Sequence, residues 1–140
     1  MKSSSRATRI VIFTDEPGWH GAELKAWFGA HGAEALYVSL MDCHVDLRAN
    51  RAGFVIGPWA NDLPDGVFVR GIPGGSLEAI TLRLDILHRL AALGVPVMNS
   101  ARSIERTVDK AMTSLLLHGH GIPTPETFVS ESLQRTREYV

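Results

Sequence analysis

The chain has 140 residues, 45% of them hydrophobic, and a formal net charge of −1. That length supports one modest core, and the charge balance argues against wholesale binding to nucleic acid or an anionic membrane. The single cysteine, Cys43, excludes a disulfide framework within the chain and fits a reducing cytoplasm.

Residues 1–7 are polar and basic, and they read as a disordered lead-in. The apolar run after them, Ile10 to Phe13, is far too short for a signal-peptide core or a membrane span. Residues 8–14, TRIVIFT, form a continuous β-branched and apolar run of the kind a buried parallel strand needs. EPGWHG makes a loop. GAELKAWFGAHG follows as a helix, with Leu24, Trp27, Phe28 and His31 at the spacing of one face, and Gly32 stops it. Residues 35–40, ALYVSL, read as a second strand.

The stretch MDCHVDLRANRAGF has weak periodicity. Phe54, Val55 and Ile56 fit an edge strand or half of a hairpin, and NDLPDG is turn chemistry. Residues 67–70, VFVR, form a third strand. GIPGGS is a glycine-rich loop, with Ser76 placed to cap the next helix. That helix spans residues 77–93, with Leu77, Ile80, Leu84, Leu87 and Ala91 on one face, widened by Leu82, Ile86, Leu90 and Leu93. Gly94 ends it, and VPVMN is a short fourth strand. Such alternation predicts an α/β fold, a parallel sheet flanked by helices. The polar-capped helix SARSIERT comes next, then RTVDKAMTSLLLHGHGIPTPETFV, a second helix closed by glycine and followed by a β-prone stretch.

In such a sheet, ligands sit beyond the carboxyl ends of the strands. The loops there are 15–21, 41–46, 71–76 and 99–103. The first lacks GxGxxG and is no dinucleotide fingerprint. Its helix start could still bind an anion, with Trp19 and His20 as a stacking face and a titratable donor, or Trp19 could pack on the core. GIPGGS lacks the lysine of a P-loop. Gly74 and Gly75 would let backbone approach a ligand or would only make a turn. Arg70, at a strand end, can clamp a carboxylate or phosphate with two parallel bonds, or else sit in a surface ion pair. Asp42, Cys43, His44 and Asp46 are zinc-ligand types without CxxC or a second half, so no metal site is expected. His118 and His120 suit the carbonyl end of a helix. Asp109 is placed as a helix cap. Lys110 falls in the first turn, where a cation is locally unfavourable unless a phosphate meets it; a solvated surface lysine is the other reading.

The segment VPVMNSARSIERTVDKAMTSLLLHGHGIPTPETFV resembles the junction of RimK-like ATP-grasp ligases. GVPVMNS, DKAMTSLLL and GIPTPET occur in that family's order and spacing. Upstream, VFVRG and the strand–helix layout are more loosely similar to its Rossmann-like pre-ATP-grasp domain. The resemblance implies two parts, a pre-ATP-grasp domain over 1–99 and, over 100–140, linker helices and the first strand of an ATP-grasp domain. It implies that Lys110 contacts nucleotide phosphates. It also implies, in a complete enzyme, ATP with Mg²⁺, a small-molecule or peptide carboxylate activated as an acyl phosphate, and an amino acid as the amine, in the manner of a glutamate ligase.

The family's second nucleotide lysine, glycine-rich flap, adenine-binding strand and Mg²⁺ carboxylates lie downstream of Thr127. The expectation is therefore an N-terminal fragment, cytoplasmic, with no catalytic residue and no cofactor of its own. Trp19, His20, Arg70, Gly74, Gly75 and Ser76 would help hold the acceptor substrate. Leu115, Leu116, Leu117 and Phe128 would lack part of their cover and drive homo-oligomerisation. The alternative is a stand-alone, non-enzymatic Rossmann-like module that binds a small anion or a partner.

Overall fold

The computed structural model describes residues 6–48, 52–57 and 62–139, which divide into two compact units, Met1–Ala101 and Arg102–Val140. The first unit is built on β1 (Thr8–Phe13), β2 (Ala33–Val38), β5 (Gly66–Val69) and β6 (Val97–Met98), a four-stranded sheet in the order β2-β1-β5-β6. All its pairings are parallel, with Ile10 opposite Ala35 on one side and Gly66 on the other. The central strand β1 puts Val11, Ile12 and Phe13 at 0% exposure, as its uninterrupted apolar run requires. Of residues 54–56, the first two form a strand: β4 (Phe54–Val55) pairs antiparallel with β3 (His44–Val45), outside the main sheet.

Helix α1 (Gly18–Ala30) packs on β1 and β2, and α2 (Leu77–Ala92) against β6. The face expected for α1 is only half right. Leu24 and Phe28 are half-buried, whereas Trp27 is 58% exposed and stacks on His31 with ring centroids 3.9 Å apart. The buried contact is made by Gly21, where an added Cβ would lie 2.8 Å from Pro17 Cβ and 3.5 Å from the Tyr37 ring. A small residue sets the approach, so the large apolar residues are not all needed inside.

The buried face of α2 is Arg83, Ile86, Leu87 and Leu90, an i, i+3, i+4, i+7 set. Leu77 and Ala91, expected on that face, are exposed, and Leu82 is 40% exposed. The helix closes with Gly94 at φ +86°; Gly94 N–H bonds to Ala91 and Val95 N–H to Leu90.

The lead-in is tied down at one point. Arg6, expected to be disordered, donates two hydrogen bonds to Asp65, at 2.7 and 2.8 Å, and Arg9 N–H donates a third. The rest of the expected disordered lead, residues 1–5, lies outside the described residues.

The second unit begins within α3 (Ala101–Val108) and continues through α4 (Lys110–Gly119) and α5 (Leu133–Tyr139). The β-prone stretch around Thr127–Val129 forms no strand. It runs as irregular backbone where a strand of an ATP-grasp domain was expected, and α5 follows it. A strand needs a neighbouring edge to take its N–H and C=O groups, and no described residue supplies one. Pro123 and Pro125 also lack the N–H that a ladder requires. Phe128 stacks on Tyr139 instead, centroids 4.4 Å apart. No helix among the described residues is long and apolar enough to cross a membrane.

Candidate functional site

From β1 the chain goes to β2 on one side, and later returns to place β5 on the other side of β1. The loops leaving β1 and β5 therefore part at a topological switch point, where a crevice is forced between them. A cavity of about 440 Å³ opens there, lined by residues 14–16, Met41 and residues 70–73. Three of the four strand-end loops singled out in the sequence meet at it; residues 99–103 do not line it.

Backbone bonds fix the strand ends. Thr14 N–H donates to Val38 C=O at 3.1 Å, and Arg70 N–H to Phe13 C=O at 2.9 Å. Ser39 locks the first two loops together: its hydroxyl donates to Asp15 Oδ1 in a very short bond and accepts from Met41 N–H at 3.0 Å. Arg70 is among the lining residues, is exposed, and its guanidinium has no hydrogen-bond or ion-pair partner among the described residues. A cavity of this size with a few convergent polar groups is the usual form of a small-ligand site.

Of the other residues expected to hold ligand, none lines this cavity. Trp19 is 70% exposed on the first turn of α1 and packs edge-on against His20, centroids 5.1 Å apart. It is not a core residue. Ser76 caps α2, accepting from Ala79 N–H at 3.3 Å. The backbone N–H of Glu78 itself, and after it the Ser76 side chain, hold the Glu78 carboxyl below its ordinary range. Gly74 and Gly75 follow Pro73 in the loop. That loop is held by a residue the sequence reading passed over, Arg83, buried to 8% exposure, whose Nη1 donates to Pro73 C=O at 2.6 Å and Gly74 C=O at 3.1 Å. An added Cβ on Gly75 would lie 3.2 Å from the same guanidinium. Arginine is seldom fully buried, so only the gap it leaves in an otherwise leucine-rich face hinted at this role. Thr14 and Ser39 were also missed; each is the polar residue that ends an apolar strand run.

Cys43 is buried, and burial first, then Asp42, pushes its thiol up to about 12, so it stays protonated and unreactive. No three His, Cys, Asp or Glu side chains gather into a metal-binding group among the described residues.

In the second unit, Asp109 caps α4 as its sequence position suggests, accepting from Met112 N–H at 2.8 Å. Lys110 follows it, exposed, with its ammonium on Thr107 C=O at 2.5 Å near the carbonyl end of α3. The lysine thus meets the negative end of one helix while standing at the positive start of the next. His120 Nδ1 lies 2.7 Å from Leu116 C=O. A second cavity, about 650 Å³, lies between α4 and residues 124–129 and includes Leu115, His118 and Val129.

No family model matches the chain. Curated proteins do. A tetrahydromethanopterin:alpha-L-glutamate ligase of Methanosarcina acetivorans is 40% identical over 70 residues, half of this chain and 22% of that protein. Human N-acetylaspartylglutamate synthase A is 30% identical over 95 residues, 68% of this chain and 22% of that protein. A RimK-domain ATP-grasp protein of Sphaerobacter thermophilus superposes with a TM-score of 0.66 at 26% identity, over 94% of this chain and 44% of its own length. These relatives are RimK-like ATP-grasp ligases, and this chain matches a part of each. The ATP-grasp ligase PsnB, solved with Mg and ADP, shares the fold at TM-score 0.64 and 19% identity. This chain spans about half of the solved relatives, and its matches span about a fifth of the curated ones.

Those relatives raise the question of a nucleotide. The residues present offer its phosphates one helix start with a lysine, Asp109–Lys110, and gather no carboxylate cluster for Mg²⁺ among the described residues. That is a partial fit, and no chemical step follows from it.

Proposed function

We propose that this chain supplies the acceptor-binding part of an ATP-dependent carboxylate–amine ligase of the glutamate-ligase kind. In this reading the first unit is the pre-ATP-grasp domain and residues 100–140 lead into the nucleotide-binding domain. The whole enzyme converts a small-molecule or peptide carboxylate to an acyl phosphate and joins it to an amino acid, in the cytoplasm. ATP and Mg²⁺ are held mainly by residues outside these 140, with Lys110 reaching the phosphates, so the chain alone does not catalyse ligation. The observation that carries the acceptor role is the switch-point cavity lined by Arg70, whose guanidinium has no partner among the described residues.

The test is kinetic. In an enzyme in which this chain is continuous with a complete ATP-grasp domain, ADP release should require both a carboxylate and an amine. Arg70→Ala should raise the acceptor KM about ten- to a hundredfold, the loss of one charged hydrogen-bonded contact, with a smaller change in kcat. An unchanged KM sinks the acceptor role. Absence of any carboxylate-dependent ADP release favours instead a non-enzymatic anion-binding module.

A further inference from the structure

The loop that leaves β5 and enters α2 lines the strand-end cavity with residues 70–73. It is anchored at both ends. Arg70 N–H and Gly71 N–H donate to Phe13 C=O at 2.9 and 3.3 Å, and the Ser76 hydroxyl accepts from Ala79 N–H. Between these anchors lie Ile72, Pro73, Gly74 and Gly75. Glycine loses more conformational freedom on ordering than any other residue, so this stretch has little reason of its own to keep one path. Arg83 supplies the reason. Its Nη1 donates to Pro73 C=O and to Gly74 C=O, and no other hydrogen bond reaches residues 72–75 among the described residues. Two acceptors on successive peptides fix both the position and the tilt of the loop, because each peptide is a rigid plane.

An arginine is a costly choice for this place. Arg83 opens the buried face completed by Ile86, Leu87 and Leu90, and no carboxylate pairs with it among the described residues. A buried charge without a counter-charge is destabilising, and an apolar side chain of similar length would complete that face at less cost. Packing of α2 therefore does not account for the guanidinium; its reach to the two loop carbonyls does. Gly75 leaves it room: a Cβ there would lie 3.2 Å from Nη1, 3.3 Å from Ala79 Cβ and 3.5 Å from Nη2. We propose that Arg83 is a positioning residue of the acceptor site. It touches no ligand itself, and it holds residues 70–73 on their path before a ligand arrives. This rests on the acceptor-site reading and deepens it. A loop ordered in advance spares the ligand the entropy of ordering it, which appears as affinity.

The experiment uses the 140-residue chain with sodium acetate as the carboxylate probe, and sodium chloride at equal ionic strength as the control. Amide chemical shifts of residues 70–72 report binding. The urea midpoint and the amide shifts of Val11 and Leu87 report the fold. Arg83→Met keeps an apolar stem on the α2 face and removes the guanidinium. Its midpoint should stay close to the parent's while acetate binds about tenfold more weakly, the cost of ordering one loop residue on binding. Arg83→Lys, whose ammonium can still donate to a loop carbonyl, should recover part of that loss. Gly75→Ala presses a methyl group on the guanidinium, so it should weaken binding in the parent and add little to Arg83→Met. It also decides the question alone should Arg83→Met fail to fold. Undiminished acetate binding in Arg83→Met overturns the inference, and the acceptor-site reading survives if Arg70→Ala still abolishes binding. A loss in Arg83→Met that comes with shifted core amides and no recovery in Arg83→Lys makes the residue structural only, and overturns the inference as well. No acetate-dependent shift at residues 70–72 of the parent overturns both readings.

Discussion

Two arginines at very different depths show how single residues shape this fold. Arg6 is exposed, yet with Arg9 N–H it surrounds the Asp65 carboxylate with three hydrogen bonds. The Arg6 bonds first, then the Arg9 backbone, hold the Asp65 carboxyl below the usual carboxylate range. A carboxylate lowered on folding contributes stability above its unfolded pKa and loses it as pH falls through the folded value. Asp65→Asn should therefore melt at a lower temperature than the parent near neutral pH. The gap should close as the pH is taken below about 4; a gap that persists in acid would show that the charge is not its source. Arg83 is the buried counterpart, with carbonyls as its hydrogen-bond acceptors. Its removal strands two acceptors and empties part of the α2 face. Arg83→Ala should destabilise the chain by roughly 1–3 kcal/mol, read as a lower urea midpoint. Faster exchange of the Gly74 and Gly75 amides should accompany it; midpoint and exchange both unchanged would remove Arg83 from the account of that loop.

At the scale of elements, periodicity carried the reading where side-chain type follows burial. The strands β1 and β5, the span of α2, and the glycine ends at Gly32 and Gly94 were all legible, because a parallel strand must be apolar and a helix stop needs a positive φ. The α1 face was misread because its contact with β2 is made by Gly21, and a residue without a side chain contributes nothing to an apolar count. The strand expected around Thr127–Val129 failed for a different reason: strand propensity is expressed only against a partner edge. The switch-point cavity was legible as a place, through the strand-end loops. Its composition was not, since Ser39 and Arg83 act through bonds to residues 24 and 10 positions away. Capping is the local signal that transferred most directly. Asp109 accepts from Met112 N–H at the start of α4, so Asp109→Ala should cost about 1 kcal/mol. Asp109→Asn, which can still accept that bond, should recover most of it. Equal losses for both would point to the charge rather than the cap.

For the whole molecule, the two units differ in how much they bury. The first encloses the fully buried Val11, Ile12, Phe13, Leu87 and Leu90. The second has no buried residue in α4 or α5, and its apolar side chains face outward: Leu115 at 65% exposure, Val129 at 68%, Leu133 at 66% and Phe128 at 40%. Exposed apolar groups gathered on one small unit favour association. Two outcomes follow for the 140-residue chain in solution. It should self-associate as concentration rises, and Leu115→Lys with Val129→Lys should shift it toward monomer by placing charge in the cavity beside α4. The first unit provides the control. Its core does not depend on these positions, so the double variant should keep the parent's near-ultraviolet signal from the α1 tryptophans. Sedimentation that shows a single monomeric species across the accessible concentration range would overturn the association. The apolar residues of the second unit would then have to be tolerated in water, and the case for a missing cover would lose its physical basis.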